Sequence, residues 1–158
     1  GGSLAVATIN KKKISKKDFK KFHPSGSLGA KLKTVEDLML TKKKIPFINE
    51  NSTMKEALKI ISQKKLGTLI ARNKKGITTG IITDGTVRRT NEKNKDLQRL
   101  LVKNVMTKNP INVNREMLVE KALGIMNQKK ITSLCVNNNN NKTIGILHIH
   151  NILDAKIQ

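Results

Sequence analysis

The sequence contains an internal repeat that needs no gap. The stretch QKKLGTLI at residues 63–70 has a counterpart, QKKITSLC, at residues 128–135. The same offset of 65 positions relates Ala57 to Ala122 and Gly80 to Gly145. A chain that repeats such a unit usually folds as two pseudo-symmetric lobes, because the apolar face of one copy needs a partner. The repeat therefore predicts two similar lobes.

The first copy carries clear signals for helix starts and turns. Thr53 and Glu56 form a capping-box pattern, and Met54 and Ala57 fall on one face of the helix that follows. Two apolar runs, joined by the turn NKKG, predict a β-hairpin with strands at residues 67–71 and 77–82. Thr83 is expected to cap the next helix.

The second copy predicts the same elements in the same order. They are a short strand, a helix and two further strands, at residues 111–113, 117–128, 132–136 and 143–147. Leu118, Ala122, Ile125 and Met126 are expected to face inward. The asparagine run at 137–141 is interpreted as a solvated loop.

Both copies alternate as βαββα, which is an α+β arrangement. The polar, unpatterned stretch 91–96 predicts the boundary between two domains, residues 34–94 and 95–158.

The formal net charge of +21 favours a nucleic-acid-binding function at first sight. However, lysine is spread over nearly every segment, whereas a phosphate-binding face requires clustered charge. Asparagine and isoleucine are abundant too, and all three residue types share A/T-rich codons, which indicates a biased genome. Trp and Tyr are absent, so stacking platforms for single strands are scarce. A basic nucleic-acid-binding protein is nevertheless the rival interpretation from another class.

Other compositional features concern the compartment. No apolar run approaches the roughly 18 residues of a membrane helix, and no secretion signal is evident. Cys135 is the single cysteine, so it has no partner for an internal disulfide. We expect a reduced, cytoplasmic protein without membrane contact.

Two sets of side chains have alternative interpretations. Arg88, Arg89, Lys65 and Lys130 either meet phosphates or are ordinary solvated charges at helix ends. The pair His148 and His150, expected on a strand end, suggests a metal, but no third ligand is evident nearby. We therefore expect no metal site at these histidines.

Both copies follow a similar short segment, VEDLM at 35–39 and VKNVM at 102–106. Two helix–strand–strand–helix units with such segments resemble a pair of CBS domains. This regulatory module binds adenosine phosphates and related nucleotides in its clefts. The resemblance implies tandem lobes in a pseudo-two-fold arrangement.

Three further motifs are similar to the arabinose-5-phosphate isomerase family. They are DF at 18–19 with HPSGSLGAKL at 23–32, TDGTVRR at 83–89, and GILHIHNIL at 145–153. In that family a sugar-isomerase (SIS) domain precedes the CBS pair and converts ribulose 5-phosphate to arabinose 5-phosphate. The product leads to Kdo, a sugar of lipopolysaccharide and capsules. Residues 1–33 would then be the closing helices of the SIS domain and a linker.

His23 matches the family histidine that contributes to the isomerase site. An imidazole with a pKa near neutrality suits proton transfer between adjacent carbons. The carboxylates and phosphate loops of the SIS domain do not occur in this sequence. The resemblance therefore implies that His23 is a remnant and that this chain alone is inactive as an isomerase.

The resemblance also implies the ligand-binding residues. CBS clefts use strand backbone, a Ser/Thr before the last helix, and an Asp three residues later that accepts bonds from ribose hydroxyls. The Ser/Thr positions here hold Thr83 and His148, and the Asp positions hold Thr86 and Asn151, which are weaker acceptors than a carboxylate. The complete set expected to bind ligand is Gly67, Thr68, Thr83, Asp84, Thr86, Arg88, Thr132, Ser133, His148, His150 and Asn151.

The implied function is a regulatory and oligomerising CBS pair that senses a nucleotide or sugar nucleotide. The candidate ligands are AMP, ATP and CMP-Kdo, and no cofactor is expected to be required. The implied partners are copies of the chain, in a CBS-mediated dimer that belongs to a tetramer in the full-length protein. A structural dimerisation module without a ligand remains an alternative, which the residues at positions 86 and 151 favour.

Overall fold

A computed structural model of the chain describes residues 33–155. The helices are α1 Val35–Leu38, α2 Met54–Lys64, α3 Asp84–Lys93, α4 Val102–Val105, α5 Val119–Lys129 and α6 Ile149–Asp154. The strands are β1 Phe47–Asn49, β2 Thr68–Arg72, β3 Thr78–Thr83, β4 Thr107–Lys108, β5 Asn112–Val113, β6 Ser133–Asn137 and β7 Thr143–His148. Short 3-10 turns occur at Lys42–Lys44 and Leu97–Arg99. This confirms the predicted α+β class; His23 and the rest of residues 1–32 lie outside the described residues.

Two sheets are present in the described part of the chain. The first has the strand order β1-β2-β3-β4, with β1 parallel to β2 and the other neighbours antiparallel. The second has the order β5-β6-β7. Within the first sheet Thr68 lies opposite Thr83, so the start of β2 and the end of β3 lie side by side at the open end of the hairpin. The predicted hairpin is confirmed.

Helix α2 shows how the local sequence specifies an element. Thr53 and Glu56 form the predicted capping box: the Thr53 side chain accepts a bond from the Glu56 N–H, and the Glu56 side chain accepts one from the Thr53 N–H. Met54 and Ala57 are fully buried, as the helical pattern predicted. The helix ends at Lys65 in the left-handed conformation, with φ 58°.

The core of the first sheet forms between β1, β2, β3 and α2. It gathers aliphatic side chains from all of these elements and from the segment near residue 100. The buried members are Ile48, Met54, Ala57, Leu69, Ala71, Ile82, Leu97 and Val102.

Backbone contacts divide the chain into two compact units. Unit I comprises residues 41–112 and 137–145; unit II comprises the described residues up to Leu40, residues 113–136, and the described residues from Ile146 onward. The short segments ahead of each repeat, residues 33–40 and 100–107, are named the leading segments here. Each belongs to the unit that holds the helix of the other repeat.

In unit I, the second leading segment is joined to the start of α2. The Val102 N–H donates to the Ser52 carbonyl at 2.8 Å, and the Met54 N–H donates to the Leu100 carbonyl at 2.7 Å. The segment then continues into β4, which pairs with β3 beside Gly80. A Cβ at Gly80 would lie 2.9 Å from the Thr107 carbonyl oxygen, so this close approach requires glycine.

In unit II, the first leading segment makes the corresponding bonds at the start of α5. The Val35 N–H donates to the Met117 carbonyl at 2.8 Å, and the Val119 N–H donates to the Lys33 carbonyl at 2.9 Å. Since these donors and acceptors lie at matching repeat positions, the exchange of leading segments is reciprocal.

Two expectations about the second repeat are wrong. Leu118 does not face inward: α5 begins one residue later, so Leu118 is its N-cap and is 44% exposed. Ala122 and Met126 are buried as expected. Asn137 is not part of a solvated loop, because it is the last residue of β6 and only 7% exposed. Only residues 138–141 form the exposed turn.

Candidate functional site

The first cluster of predicted site residues lies in unit I, where β3 passes into α3. Thr83 is the N-cap of α3, and its Oγ1 accepts a bond from the Thr86 N–H at 3.3 Å. Thr86 Oγ1 in turn accepts a bond from the Thr83 N–H at 3.4 Å, and the two hydroxyls are 3.1 Å apart. This reciprocal capping satisfies helix N–H groups that would otherwise lack a partner. It also occupies the Thr86 hydroxyl, which is only 7% exposed as a residue.

Asp84 supplies the carboxylate of the first cluster. Its Oδ2 lies 2.6 Å from the position that a Cβ on Gly67 would take, so Asp84 rests against the bare backbone at Gly67. Gly67 has φ +69°, a conformation that favours glycine. The Asp84 N–H donates to the Gly67 carbonyl at 3.1 Å. The loop at Gly67 is therefore hydrogen-bonded to the start of α3, and Asp84 remains exposed to solvent.

Two arginines follow on the same helix. Arg88 is exposed. Arg89 Nη1 lies 3.1 Å from the place of a Cβ on Gly85, so its guanidinium folds back over the first turn of α3. Arg89 thus places a positive charge beside the helix start, where the helix dipole also favours anions. The sequence signal for this was the glycine four residues before an arginine, one helical turn away.

The second cluster lies in unit II, where β7 passes into α6. His148 is the last residue of β7 and the N-cap of α6, whereas His150 lies within the first helical turn. The prediction that both histidines lie on a strand end is therefore wrong for His150. The His148 Nδ1 accepts a bond from the His150 N–H at 3.1 Å, and Asn151 Oδ1 accepts one from the His148 N–H at 2.8 Å.

The two imidazole rings stack, with centroids 4.8 Å apart and planes inclined by 16°. His148 is only 8% exposed. Burial lowers the pKa of His148 below its ordinary value, and the nearby His150 charge lowers it further. Because Nδ1 accepts the His150 N–H, the neutral imidazole of His148 carries its proton on Nε2.

The two clusters share one backbone arrangement. The bond from the Asp84 N–H to the Gly67 carbonyl recurs as a bond from the Ile149 N–H to the Thr132 carbonyl at 2.8 Å, 65 positions later. Thr132 is exposed at this bend. The hydroxyl residues that follow the bends, Thr68 and Ser133, are both buried at the starts of β2 and β6.

The two clusters have the same backbone hydrogen bond but carry different side chains at equivalent positions. Asp84 corresponds to Ile149, and Thr83 corresponds to His148. Unit I therefore presents a carboxylate at the helix start, and unit II presents an imidazole pair. Among residues 33–155, no group of three His, Cys, Asp or Glu side chains is arranged to hold a metal ion.

A cleft of about 360 Å³ lies elsewhere in unit I, at the opposite end of the β2–β3 hairpin from the first cluster. Its lining includes Phe47, Asn49, Arg72, Asn73, Lys74 and Gly76. None of the predicted ligand-binding residues lines it, and the sequence patterns did not indicate it.

The repeated strand-to-helix bends agree with the comparison to known families. The CBS domain family model matches residues 35–92 and residues 102–157, which together are most of the chain. The chain belongs to the CBS domain family. Because the model matches twice in succession, the two repeats form a CBS pair.

Solved CBS pairs share this fold. CBSX2, crystallised in complex with AMP, has a TM-score of 0.71 and is 23% identical, over 79% of this chain and 96% of that chain. The CBS domain pair of protein MJ0100, in complex with 5′-methylthioadenosine and S-adenosyl-L-methionine, has a TM-score of 0.70 and 21% identity. It covers 78% of this chain and 94% of the other.

A more similar relative in sequence is arabinose 5-phosphate isomerase KdsD of Salmonella typhimurium. It is 35% identical over 158 residues, which is 99% of this chain and 48% of the relative. The chain therefore spans about half the length of the curated relatives it matches.

The residues at positions 86 and 151, where the resemblance predicted an Asp, have a local role in capping. Thr86 and Asn151 are each the third residue of a helix, and each side chain accepts the N–H of its own N-cap residue. A side chain in that position stabilises the helix start, so its acceptor is already engaged. Among residues 33–155, no helix has the length and apolar character needed to cross a bilayer.

Proposed function

We propose that this chain is the regulatory CBS pair of an arabinose 5-phosphate isomerase and that the first cluster binds a nucleotide or sugar nucleotide. The observation that carries the proposal is the similarity to KdsD along 99% of the chain but only 48% of the relative. The parent enzyme would convert ribulose 5-phosphate to arabinose 5-phosphate in the cytoplasm, on the route to Kdo and lipopolysaccharide. The CBS pair would also join copies of the enzyme into a dimer and, in the full-length protein, a tetramer.

The first cluster supports a nucleoside ligand through its charges. Asp84 offers an exposed carboxylate that can accept bonds from two vicinal hydroxyls of a ribose. Arg89 lies over the first turn of α3, where the helix dipole also favours a phosphate. Asp84 thus takes the place that Thr86 cannot fill, since Thr86 is engaged in capping.

A ligand screen tests this proposal. AMP, ATP, CMP and CMP-Kdo are titrated into the purified chain by calorimetry and by thermal shift, because a ligand that binds only the folded state raises the Tm. Asp84→Asn is expected to lower the affinity for the ligand that binds about tenfold. Glu92→Gln is the matched control, since it removes the same charge from an exposed position on the same helix. Equal effects of the two variants would contradict the assignment of Asp84.

A second candidate function is a structural dimerisation module without a ligand. It is favoured by the engaged Thr86 hydroxyl and the engaged Asn151 carbonyl oxygen. A chain that dimerises, yet shows no Tm shift with any of the four compounds, would establish this alternative. In either case we expect no isomerase activity from the chain alone, and arabinose 5-phosphate formation by the purified chain would contradict that.

A further inference from the structure

The cleft at the far end of the β2–β3 hairpin has a lining rich in hydrogen-bond donors. Arg72 and Lys74 are exposed cations on its wall. Asn49 Oδ1 already accepts the Asn51 N–H at 2.8 Å. Asn73 Oδ1 likewise accepts two backbone N–H groups within its own turn. Both asparagines therefore keep their NH₂ groups as donors, while each Oδ1 already accepts at least one bond.

Arg72 is held in place without a carboxylate partner. Its Cζ lies 3.8 Å from the centroid of the Phe47 ring, a cation–π contact. The ion pairs found within residues 33–155 involve Arg99 and Arg115, not Arg72. A guanidinium fixed over a ring keeps its planar set of N–H donors available for a bidentate acceptor.

The positive charge near the cleft is reinforced from the second repeat. The Lys142 Cε lies 3.8 Å from the place of a Cβ on Gly76, so the Lys142 side chain runs past this wall. No carboxylate occurs among the described residues that line the cleft. Glu50 follows β1, and its backbone N–H donates to the Arg72 carbonyl at 2.9 Å.

The cleft is specific to the first repeat. The positions that correspond to Phe47 and Arg72 hold Asn112 and Asn137. Asn137 is buried, and its amide is bonded to Asn141 and Thr143. The aromatic ring and the cation are thus absent at the equivalent place, so the cleft is not a general consequence of the repeat.

We propose that this cleft binds a small phosphate monoester. Such an ester carries a charge of about −1.5 to −2 at neutral pH, which matches the two cations Arg72 and Lys74. Its oxygens are acceptors that suit the donor-rich lining. The volume of about 360 Å³ lies in the range of small-molecule sites and suits a sugar phosphate. The site uses none of the residues of the first cluster and is independent of the function proposed above.

The test is calorimetric titration of the complete chain with ribose 5-phosphate, with ribose as the phosphate-free control and inorganic phosphate as the minimal anion. We expect ribose 5-phosphate and phosphate to bind and ribose not to bind. Arg72→Gln is expected to weaken the affinity about tenfold or more. Lys74→Gln is expected to weaken it several-fold.

Lys75→Gln is the matched control. Lys75 follows Lys74 in the same turn, is also exposed, and does not line the cleft. Equal losses in Lys74→Gln and Lys75→Gln would overturn the proposal, because they would show only an effect of net charge. The absence of ribose 5-phosphate binding would overturn it as well. Tighter, Arg72-dependent binding of a single-stranded oligonucleotide, a phosphodiester, would instead assign the cleft to nucleic acid.

Discussion

The hydroxyl of Thr78 is hydrogen-bonded to the hydroxyl of Thr143, the residue at the same position of the second repeat. Thr143 donates its own proton to Asn137 Oδ1 at 2.8 Å, so Thr78 must be the donor between the two hydroxyls. Asn137 Nδ2 donates to Asn141 Oδ1 at 3.0 Å, and Asn141 Nδ2 donates to the Thr78 carbonyl at 3.3 Å. The four residues close a ring of bonds that includes buried polar groups.

The ring predicts the cost of removing one hydroxyl. Thr143→Val leaves the buried Asn137 oxygen without this donor and the Thr78 hydroxyl without its acceptor. We expect a loss of about 1–3 kcal/mol in the free energy of unfolding. Thr78→Val removes only the donor to Thr143 and is expected to cost about 1 kcal/mol. Urea denaturation measures both values.

The double variant separates the bond from the local effects of each change. The two hydroxyls are bonded directly, so the losses of the single variants should not add. The loss of unfolding free energy in the double variant is expected to be smaller than their sum, by at least about 0.5 kcal/mol. Thr143→Ser keeps the hydroxyl and serves as the control. Strictly additive losses would show that the ring does not act as a unit.

Two helix ends predict stabilising substitutions. Lys65 and Lys130 end α2 and α5 in the left-handed conformation, each with φ 58°. Glycine has no Cβ penalty there, so Lys65→Gly and Lys130→Gly are each expected to gain about 0.5–1 kcal/mol. Lys129→Gly, one residue earlier and still helical, is expected to lose about 0.5–1 kcal/mol. Thermal unfolding distinguishes these signs, and a loss at position 65 or 130 would contradict the argument.

The elements that could be predicted are those with local causes. The capping box at Thr53, the N-cap at Thr83 and the hairpin turn after β2 depend on neighbours within a few residues. The repeat itself predicted the recurrence of these features. Leu118 was misplaced because the apolar periodicity does not mark the first helical residue.

The remaining features depend on partners that are distant in the sequence. The leading segments form helices of only four residues, so no periodicity indicates which unit they join. Asn137 is buried because Thr143 and Asn141 satisfy its amide, and a run of asparagines carries no sign of this. The cleft beside Arg72 arises from the pairing of β1 with β2, which brings Phe47 to the arginine.

The thiol of Cys135 provides a probe of the unfolding that exposes β6. The thiol is buried within β6, and burial raises its pKa to about 12. Since the thiolate is the reactive form, we expect no labelling by a thiol reagent in the folded chain at neutral pH and full labelling in denaturant. The labelling rate against urea should follow global unfolding. Fast labelling of the native chain would contradict the burial of β6.

An acidic residue at position 86 is predicted to raise the affinity for a nucleotide. Thr86→Asp places a carboxylate at the third residue of α3, where it accepts the Thr83 N–H and favours the helix start. Its second oxygen can accept a ribose hydroxyl, so we expect about tenfold tighter binding of the nucleotide identified in the screen. Thr86→Asn has a similar shape without the charge and should not gain. Equal affinities of the two variants would contradict a ribose contact at position 86.

His148 predicts how stability depends on pH. Its pKa in the folded chain is lowered below the ordinary value of 6.5, first by burial and then by the His150 charge. The unfolded chain therefore binds the proton more readily, and stability is fully present above pH 6.5. As the pH falls from 6.5 towards the lower pKa of the folded state, the free energy of unfolding should decrease.

Asp37 also has a lowered pKa, but its effect begins only near its ordinary value of 3.8. Urea denaturation between pH 8 and pH 5 measures the slope, and His148→Asn should reduce it because the titrating ring is gone. His150→Asn keeps the buried ring and should retain most of the slope. If the His148 variant showed the same slope as the parent chain, the buried imidazole would not be its source.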